Sequence, residues 1–298
     1  MNFPHSYTNG NAEITITSDG SRIINYSDEL ALEYPLNIDV RLSEQCPFGM
    51  NEKTGKAVCS FCHESATTNG KSASMTDIYE LTRLFDVLPK GTEIAVGINQ
   101  FTPEVYQFLT TCKNKGLIVN ATVNQGHIKK NLTVIERYIT LGLINGLGIS
   151  YRPFSEPIPQ SLLNYKNTVV HVITGINTLE EVQKLYWLGV KKILILGEKD
   201  FGFNLGKVKL VSDSHVTWYR GLYKLFKLFD VVSFDNLALE QLNVKRYVKD
   251  WDTMYQGEYS FYINAVTKTF VPSSRSSDIV PWGDISEYFL SLNKKCLY

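Results

Sequence analysis

Short β-rich runs alternate with amphipathic stretches from residue 36 onward, and nothing else in the sequence restricts its fold as much. The runs are "LNIDVRL" (36–42), "TEIAVGI" (92–98), "LIVNATV" (117–123), "GLGISYR" (146–152), "TVVHVIT" (168–174), "KKILIL" (191–196) and "FDVVSF" (229–234). Between them, "MTDIYELTRLFDVL" (75–88) repeats apolar residues at helical spacing, with Thr76 as the expected N-cap. "PEVYQFLTTCKNKG" (103–116) begins with Pro and ends at Gly, the helix asymmetry, and "TLEEVQKLYWLG" (178–189) opens with a Thr178/Glu181 capping box. Strands alternating with helices imply βαβ units and a parallel sheet. The expected fold is α/β, a partial (β/α)6-type TIM-like barrel. A doubly wound open sheet is the alternative, and periodicity alone does not separate the two. In both, ligands sit at the carboxyl ends of the strands.

The flanks are simpler. "AEITITSDGSRIINYS" (12–27) alternates on both sides of Asp19-Gly20 and predicts an N-terminal β-hairpin. "YSFYINAVTKTFVPSSRSS" (259–277) reads as a strand or hairpin followed by a Ser-rich loop, with a terminal helix near 284–293. The expected organisation is therefore a hairpin extension (1–30), the barrel (31–235), and an irregular C-terminal extension packed on it (236–298).

Charge and targeting exclude several classes. Thirty Lys and Arg balance thirty Asp and Glu, which gives no strong nucleic-acid signal, since phosphate attraction needs an excess of cations. The N-terminus lacks the charged and apolar regions of a secretory signal. No apolar run approaches the ~18 residues that suggest a membrane span. A cytoplasmic protein is expected, and there clustered cysteines bind metal more often than they form disulfides.

Such a cluster follows the first predicted strand. "CPFGMNEKTGKAVCSFCHESATTNGK" (46–71) spaces its thiols as Cys46-x12-Cys59-x2-Cys62, with His63 next. Four readings are open. The thiols can be unrelated small hydrophobes. Cys59 to His63 match the C-x-x-C-H attachment signature of c-type haem, a modification at odds with a cytoplasmic chain. Structural zinc wants four ligands, and only one C-x2-C pair is present; Cys112 sits at a core-facing position of a predicted helix, and Cys296 stands alone. Three thiolates can also hold a 4Fe–4S cluster with one iron open for chemistry.

The stretch resembles that of radical S-adenosylmethionine (radical SAM) enzymes. That family carries three cysteines in the loop after the first strand of a partial barrel, as C-x3-C-x-aromatic-C. Cys59, Ser60, Phe61 and Cys62 reproduce the second half of the motif, and "SFCHESATTNGK" is similar to a subgroup in which His-Glu and a Gly-Lys turn follow the third cysteine. The first gap departs, with twelve residues in place of three. Some members, including certain 7-carboxy-7-deazaguanine synthases, carry insertions here, and "PFGMNEKTGKAV" suits a loop that folds back to supply Cys46. Weaker matches follow in the family's order. "AVGINQFTPE" (95–104) stands where members carry a Gly-Gly-Glu-like segment for the methionine amine, and offers Gly97 and Asn99 without the family's Glu. Ser150 closes strand four at the ribose-contacting place, with Asn124 and Gln125 closing strand three nearby. "HVITGINT" (171–178) keeps Ile173 and Gly175 of an adenine-packing G-x-I-x-G-x-x-E pattern but has His171 and Thr178 outside them. Leu196 and Gly197 end strand six.

The resemblance spans roughly residues 36 to 200 and implies function. A 4Fe–4S cluster on Cys46, Cys59 and Cys62 would cleave S-adenosyl-L-methionine reductively, and the 5′-deoxyadenosyl radical would take hydrogen from a substrate. Phe61, Gly97, Asn99, Asn124, Ser150, Ile173, Gly175 and Leu196 are the implied cofactor contacts. A reductant such as flavodoxin or ferredoxin is the implied partner, and a small-molecule, nucleoside or peptide substrate remains open. Tyr151, Arg152, Glu156, Glu198, Lys199, Asp200, Ser273, Ser274 and Arg275 lie at strand ends or loops suited to substrate. Each supporting residue also has a plain structural reading, and His171 reads first as a satisfied core histidine. The rival function is a zinc-stabilised, non-catalytic βα-barrel that binds a partner.

Overall fold

The computed structural model describes residues 4–18, 20–208, 213–247, 259–274 and 276–295, with backbone alone at 213–215 and 293–295. Asp19, Arg275 and Cys296 lie outside the described residues. At the N-terminus β1 (His5–Asn9), β2 (Ala12–Ile16) and β3 (Arg22–Tyr26) form an antiparallel sheet. The hairpin expected over 12–27 is β2–β3, and β1 extends it to three strands.

After β4 (Asn37–Arg41) come the short strands β5 (Gln45–Asn51) and β6 (Lys56–Ala57), then α1 (Met75–Leu84) and β7 (Glu93–Ile98). The alternation continues through α2 (Pro103–Asn114), β8 (Ile118–Asn124), α3 (Gln125–Thr140), β9 (Gly146–Ser150), α4 (Gln160–Leu163) and β10 (Thr168–Ile173). It runs on through α5 (Leu179–Trp187), β11 (Lys192–Leu196), α6 (Asp213–Leu228), β12 (Val231–Phe234) and α7 (Asn236–Gln241). The chain ends with β13 (Ser260–Asn264), β14 (Thr269–Val271), β15 (Val280–Pro281) and α8 (Ile285–Lys295).

One large, mostly parallel sheet organises these elements, in the order β12-β11-β10-β9-β8-β7-β4-β13-β14-β15. From β4 to β12 its parallel strands follow chain order, without the reversal that defines a doubly wound sheet. β13 adds in parallel on the far side of β4, and β14 and β15 continue antiparallel. The sheet is open, with β12 and β15 as its edges, so the structure gives a mixed α/β fold and no closed barrel.

The two faces of the sheet differ in chemistry. Ile38, Val40, Ile94, Val96, Val119, Ala121, Val123, Ile149, Val170, Val172, Ile193 and Ile195 are buried on one face. Those of β4 and β7–β9 join a core with Phe108 and Leu109 of α2, and those of β10 and β11 join Val182, Leu185, Trp218 and Leu222 of α5 and α6. The intervening positions point the other way, because side chains alternate across a strand. They include Asp39, Glu93, Asn120, Thr122, Asn124, His171 and Ser233. A parallel sheet covered on both faces reads as continuous apolar runs; this polar face instead borders open space. Residues of β7 through β12 line one cavity of about 540 Å³, so the face they share is concave.

Helix termini follow local chemistry with one correction. The N-cap of α1 is Ser74, not Thr76: the Ser74 hydroxyl accepts from the Asp77 amide, and the Asp77 carboxylate accepts from the Ser74 amide. Thr76 lies inside the first turn. The Thr178/Glu181 capping box opens α5 as expected. Among the described residues no helix is long and apolar enough to cross a membrane.

Candidate functional site

Cys46 lies not in a loop but on β5, which turns back as a two-stranded ribbon with Met50 opposite Ala57 and Asn51 opposite Lys56. The "NEKTG" segment that lengthens the cysteine spacing is the tip of this ribbon. Its return strand brings the Cys59 amide to donate to the Phe48 carbonyl at 3.1 Å, two residues from Cys46. Cys62 follows in a tight turn, its amide donating to the Cys59 carbonyl at 3.1 Å. The fold-back expected of the long gap is thus built from β hydrogen bonds.

The three thiols share one neighbourhood. A thiolate at Cys62 disfavours ionisation of Cys46 and of Cys59, and one at Cys46 disfavours that of Cys59. Burial pushes the Cys46 and Cys59 thiols up first of all; Phe48 and Gly49 amides oppose it at Cys46, and the Arg152 charge opposes it at Cys59. Cys112 is separate, enclosed in the α2 core with its thiol pushed far up by burial. Among the described residues no three His, Cys, Asp or Glu side chains converge on a single metal ion. A four-ligand zinc site requires such convergence. A 4Fe–4S cluster does not, because its thiolates bind separate irons. Three soft sulfurs in one neighbourhood are donors of the kind a thiolate-held cluster uses.

Arg152, just past β9, dominates the surroundings. Its Nη1 donates to Cys59 Sγ at 2.5 Å and its Nη2 to the Val58 carbonyl at 3.3 Å. The guanidinium lies over the rings of Phe48 and Phe61, at 5.7 and 5.9 Å. Gln125 fixes its backbone by accepting from the Arg152 amide while donating to the Glu156 carbonyl. The sequence had placed Arg152 among substrate residues; its side chain instead faces the cysteines.

His127 is a functional candidate that sequence reasoning missed. It is buried in the first turn of α3, its Nε2 lies 3.9 Å from Cys46 Sγ, and its ring stacks on Phe48 at 4.4 Å. Burial, then the charges of Arg152 and Lys130, hold its imidazole below the ordinary histidine value. The available signal was its position, two residues after Gln125 at the end of the third strand.

Beyond Cys62, the His63-Glu64 pair is tied to the end of the first strand. Arg41 donates to the Glu64 carbonyl at 2.7 Å and pairs with its carboxylate at 3.2 Å, while Tyr262 of β13 donates to the same carboxylate at 3.1 Å. Burial opposes ionisation of Glu64, but the His63 hydrogen bond and the His63 and Arg41 charges outweigh it and hold the carboxyl down to about 2. Asp39, on the same open face, is pushed up to about 6 by desolvation and by the Glu93 charge. The residue is nonetheless solvent-exposed on that face, so the shift comes from the surrounding walls and not from enclosure.

The segment after β11 closes over the ribbon. Gly202 has φ +64°, and a Cβ there would stand 2.4 Å from the His63 carbonyl oxygen, while the Phe203 amide donates to the Cys62 carbonyl at 3.0 Å. Lys207 reaches the Ser60 carbonyl, and Phe201 meets His63 edge to face. This places Glu198, Lys199 and Asp200 beside the site, but Glu198 is held by Asn204 and its backbone by Gln241, and Asp200 caps the Gly206 amide.

The remaining predicted residues form a row across the carboxyl edge. Asn124 pairs with Ser150, and Ile173 with Leu196, in adjacent parallel strands. Asn124 also caps α3 and lies 4.0 Å from Cys59 Sγ through its amide nitrogen. Gly175 has φ +81°, the left-handed turn that glycine adopts freely, and lets the Thr174 amide reach the Leu196 carbonyl. Gly97 has nothing within 4 Å of the place its Cβ would occupy, so its open face comes from the bare backbone and not from a tight turn. Asn99 follows it beside a small recess with Ser43 and Ser72. Tyr151 sits in the β10–β11 core, Glu156 is exposed with Lys129, and Ser273 and Ser274 lie in the turn after β14.

These features define the class: an open, mostly parallel α/β sheet with a cysteine ribbon packed at the carboxyl end of its first parallel strand. The same fold is found in SuiB of Streptococcus suis, whose crystal structure is similar with a TM-score of 0.63 over 95% of this chain and 86% of SuiB, at 11% identity. A crystal structure of SuiB bound to S-adenosylmethionine is similar with a TM-score of 0.59 over 89% of this chain and 70% of that one, at 12% identity. No protein-family model matches the sequence, and no curated protein matches it.

Proposed function

We propose that this chain is a radical SAM enzyme, with Cys46, Cys59 and Cys62 as ligands of a 4Fe–4S cluster and its sheet as a partial TIM-like barrel. The reading is carried by one observation: three mutually interacting thiols sit at the carboxyl end of β4, with a hydrogen-bonding arginine beside them. It is supported by the likeness of fold to SuiB, one structure of which contains S-adenosylmethionine. The chain would divide into the N-terminal extension (1–30), the barrel (31–235) and a C-terminal extension (236–298).

Held by Cys46, Cys59 and Cys62, such a cluster would supply one-electron chemistry for reductive cleavage of S-adenosylmethionine. The residues of this chain bind, orient and exclude. Metal binding draws the proton from each thiol, and Arg152 offsets the negative charge gathered at Cys59. Gly97 leaves bare backbone for the methionine end of the cofactor, with Asn99 beside it. Asn124 and Ser150 offer polar groups to the ribose, and Ile173, Gly175 and Leu196 an apolar edge to adenine. Phe61 and Phe48 keep water from the sulfurs. A small substrate would occupy the open face near Asp39 and Tyr262, and a flavodoxin or ferredoxin would deliver the electron.

Anaerobic iron–sulfur reconstitution tests the reading. The expected product is a brown protein with roughly four irons per chain that, once reduced, converts S-adenosylmethionine to 5′-deoxyadenosine, and Cys59→Ala should lose both properties. A colourless protein holding one zinc, with iron content and cleavage indifferent to Cys59→Ala, would establish the zinc-stabilised binding module instead. Cys46→Ala separately tests the long spacing, since full iron retention there removes Cys46 from the ligand set.

A further inference from the structure

At the opposite end of the sheet the concave face holds a chamber of about 540 Å³ that the proposed chemistry does not use. Its lining reaches Ala95, Thr122, Gly148 and Leu194. Each stands two residues before Gly97, Asn124, Ser150 or Leu196, hence on the same face and about 7 Å nearer the amino ends. Space exists there because β9 contributes glycine. A Cβ on Gly146 would stand 2.3 Å from Asn120 Oδ1, and one on Gly148 would stand 2.5 Å from the His171 ring and 2.7 Å from Thr122 Oγ1. The neighbouring polar side chains lean into the room left by the missing ones.

The chamber is chemically graded. Deep inside, the side chains of Thr122 and His171 make no hydrogen bond with the described residues and face the cavity. This corrects the sequence reading of His171 as a satisfied core histidine. Desolvation holds its imidazole down to about 4, so at neutral pH it is uncharged, one nitrogen donating and one accepting. The walls are apolar, with Ile118, Ile144, Leu147 and Leu194. The rim carries Lys166 and Lys192, and Arg22, which is paired with Glu93 at 2.9 Å. Neither lysine has an ion-pair partner among the described residues, so the rim retains two uncompensated cations.

We infer that this chamber is a second binding site, for a small organic anion with an apolar body and a neutral hydrogen-bonding group at the far end. The anionic end lies at Lys166 and Lys192, the body lies between the aliphatic walls, and the far hydroxyl or amide meets Thr122 and His171. Apolar walls with a few placed polar groups are the usual composition of a small-molecule pocket. The site is independent of iron and of S-adenosylmethionine.

The test uses the full chain before iron loading, titrated with 6-hydroxy-2-naphthoate, 2-naphthoate and 2-naphthol by calorimetry. The hydroxy acid should bind saturably at one site, and roughly three- to tenfold more tightly than either compound lacking one polar end, as expected for one hydrogen bond or charge contact. His171→Phe should remove its advantage over 2-naphthoate, and Lys192→Gln its advantage over 2-naphthol. Leu194→Trp, which fills the chamber with apolar volume, should abolish binding of all three and serves where the histidine variant does not fold. Absent binding, equal affinities for the three compounds, or binding untouched by Leu194→Trp in a folded protein would overturn the inference. Cleavage of S-adenosylmethionine is measured separately, so either idea can fail without the other.

Discussion

At Cys59 opposing effects act on one sulfur: burial, and thiolates at Cys62 and Cys46, disfavour its ionisation, and the Arg152 guanidinium favours it. Cys112 feels burial almost unopposed in an apolar core. The same residue type therefore plays two roles, and substitution should separate them. Cys59→Ser is expected to lose most iron uptake with little change in stability, since its hydroxyl can still accept from the Arg152 guanidinium. Cys112→Ser should keep full iron content but lose about 1–2 kcal/mol, the cost of a hydroxyl in a core position that a helix carbonyl only partly satisfies. Iron assay and urea unfolding on both variants check this, and a reversed pattern would reassign the thiols. The sequence showed Cys112 as core because its neighbours repeat at helical spacing. It did not show His127 against Cys46 or Arg152 against Cys59, separated by 81 and 93 positions. Contacts of that kind depend on strand register, which no local pattern encodes.

Elements were legible where local chemistry decides them. All seven parallel strands from β4 to β12 lie within a few residues of their apolar runs, because one face of each except the edge strand β12 is buried under helices. The capping box at Thr178 could be read directly; Thr178→Ala should cost about 1 kcal/mol in chemical unfolding, with iron uptake unchanged, since α5 packs on the outer face. The ribbon β5–β6 was not legible as strands, since "NEKTGK" carries turn residues and its pairing is only two residues long. Nor was its cover, the segment 197–208. There Gly202 meets the backbone of His63 and Cys62 at a left-handed φ, so a side chain has neither conformational nor steric room. Gly202→Ala is expected to push this segment off the ribbon and at least halve iron uptake, while the far-ultraviolet circular dichroism stays that of the parent. Unchanged uptake would mean that the cover does not position Cys62.

Across the whole molecule, the open inner face places charges where solvent reaches them only through the concavity. Asp39 stands midway, and the charges of Glu93 from the amino end and Lys199 from the carboxyl end both act on it. Desolvation and Glu93 outweigh Lys199, so its carboxyl titrates near 6 in the folded chain against an ordinary 3.8. A raised acid pKa means that the folded state holds the proton more tightly than the unfolded one. Its contribution is complete below about pH 4 and is lost as pH rises through about 6. His171 acts oppositely in an overlapping window: held down to about 4, it favours the folded state above 6.5 and ceases to as pH falls. Glu64, held to about 2, matters only below the ordinary glutamate range. The net profile of the parent therefore blends opposing slopes, and a difference measurement is required. Relative to Asp39→Asn, the parent should gain stability as pH falls from 6 to 4 and show a constant offset above about 7. A difference curve flat across pH 4 to 7, measured by urea unfolding, would show that Asp39 is solvated as in an open chain and that the concavity does not desolvate its walls.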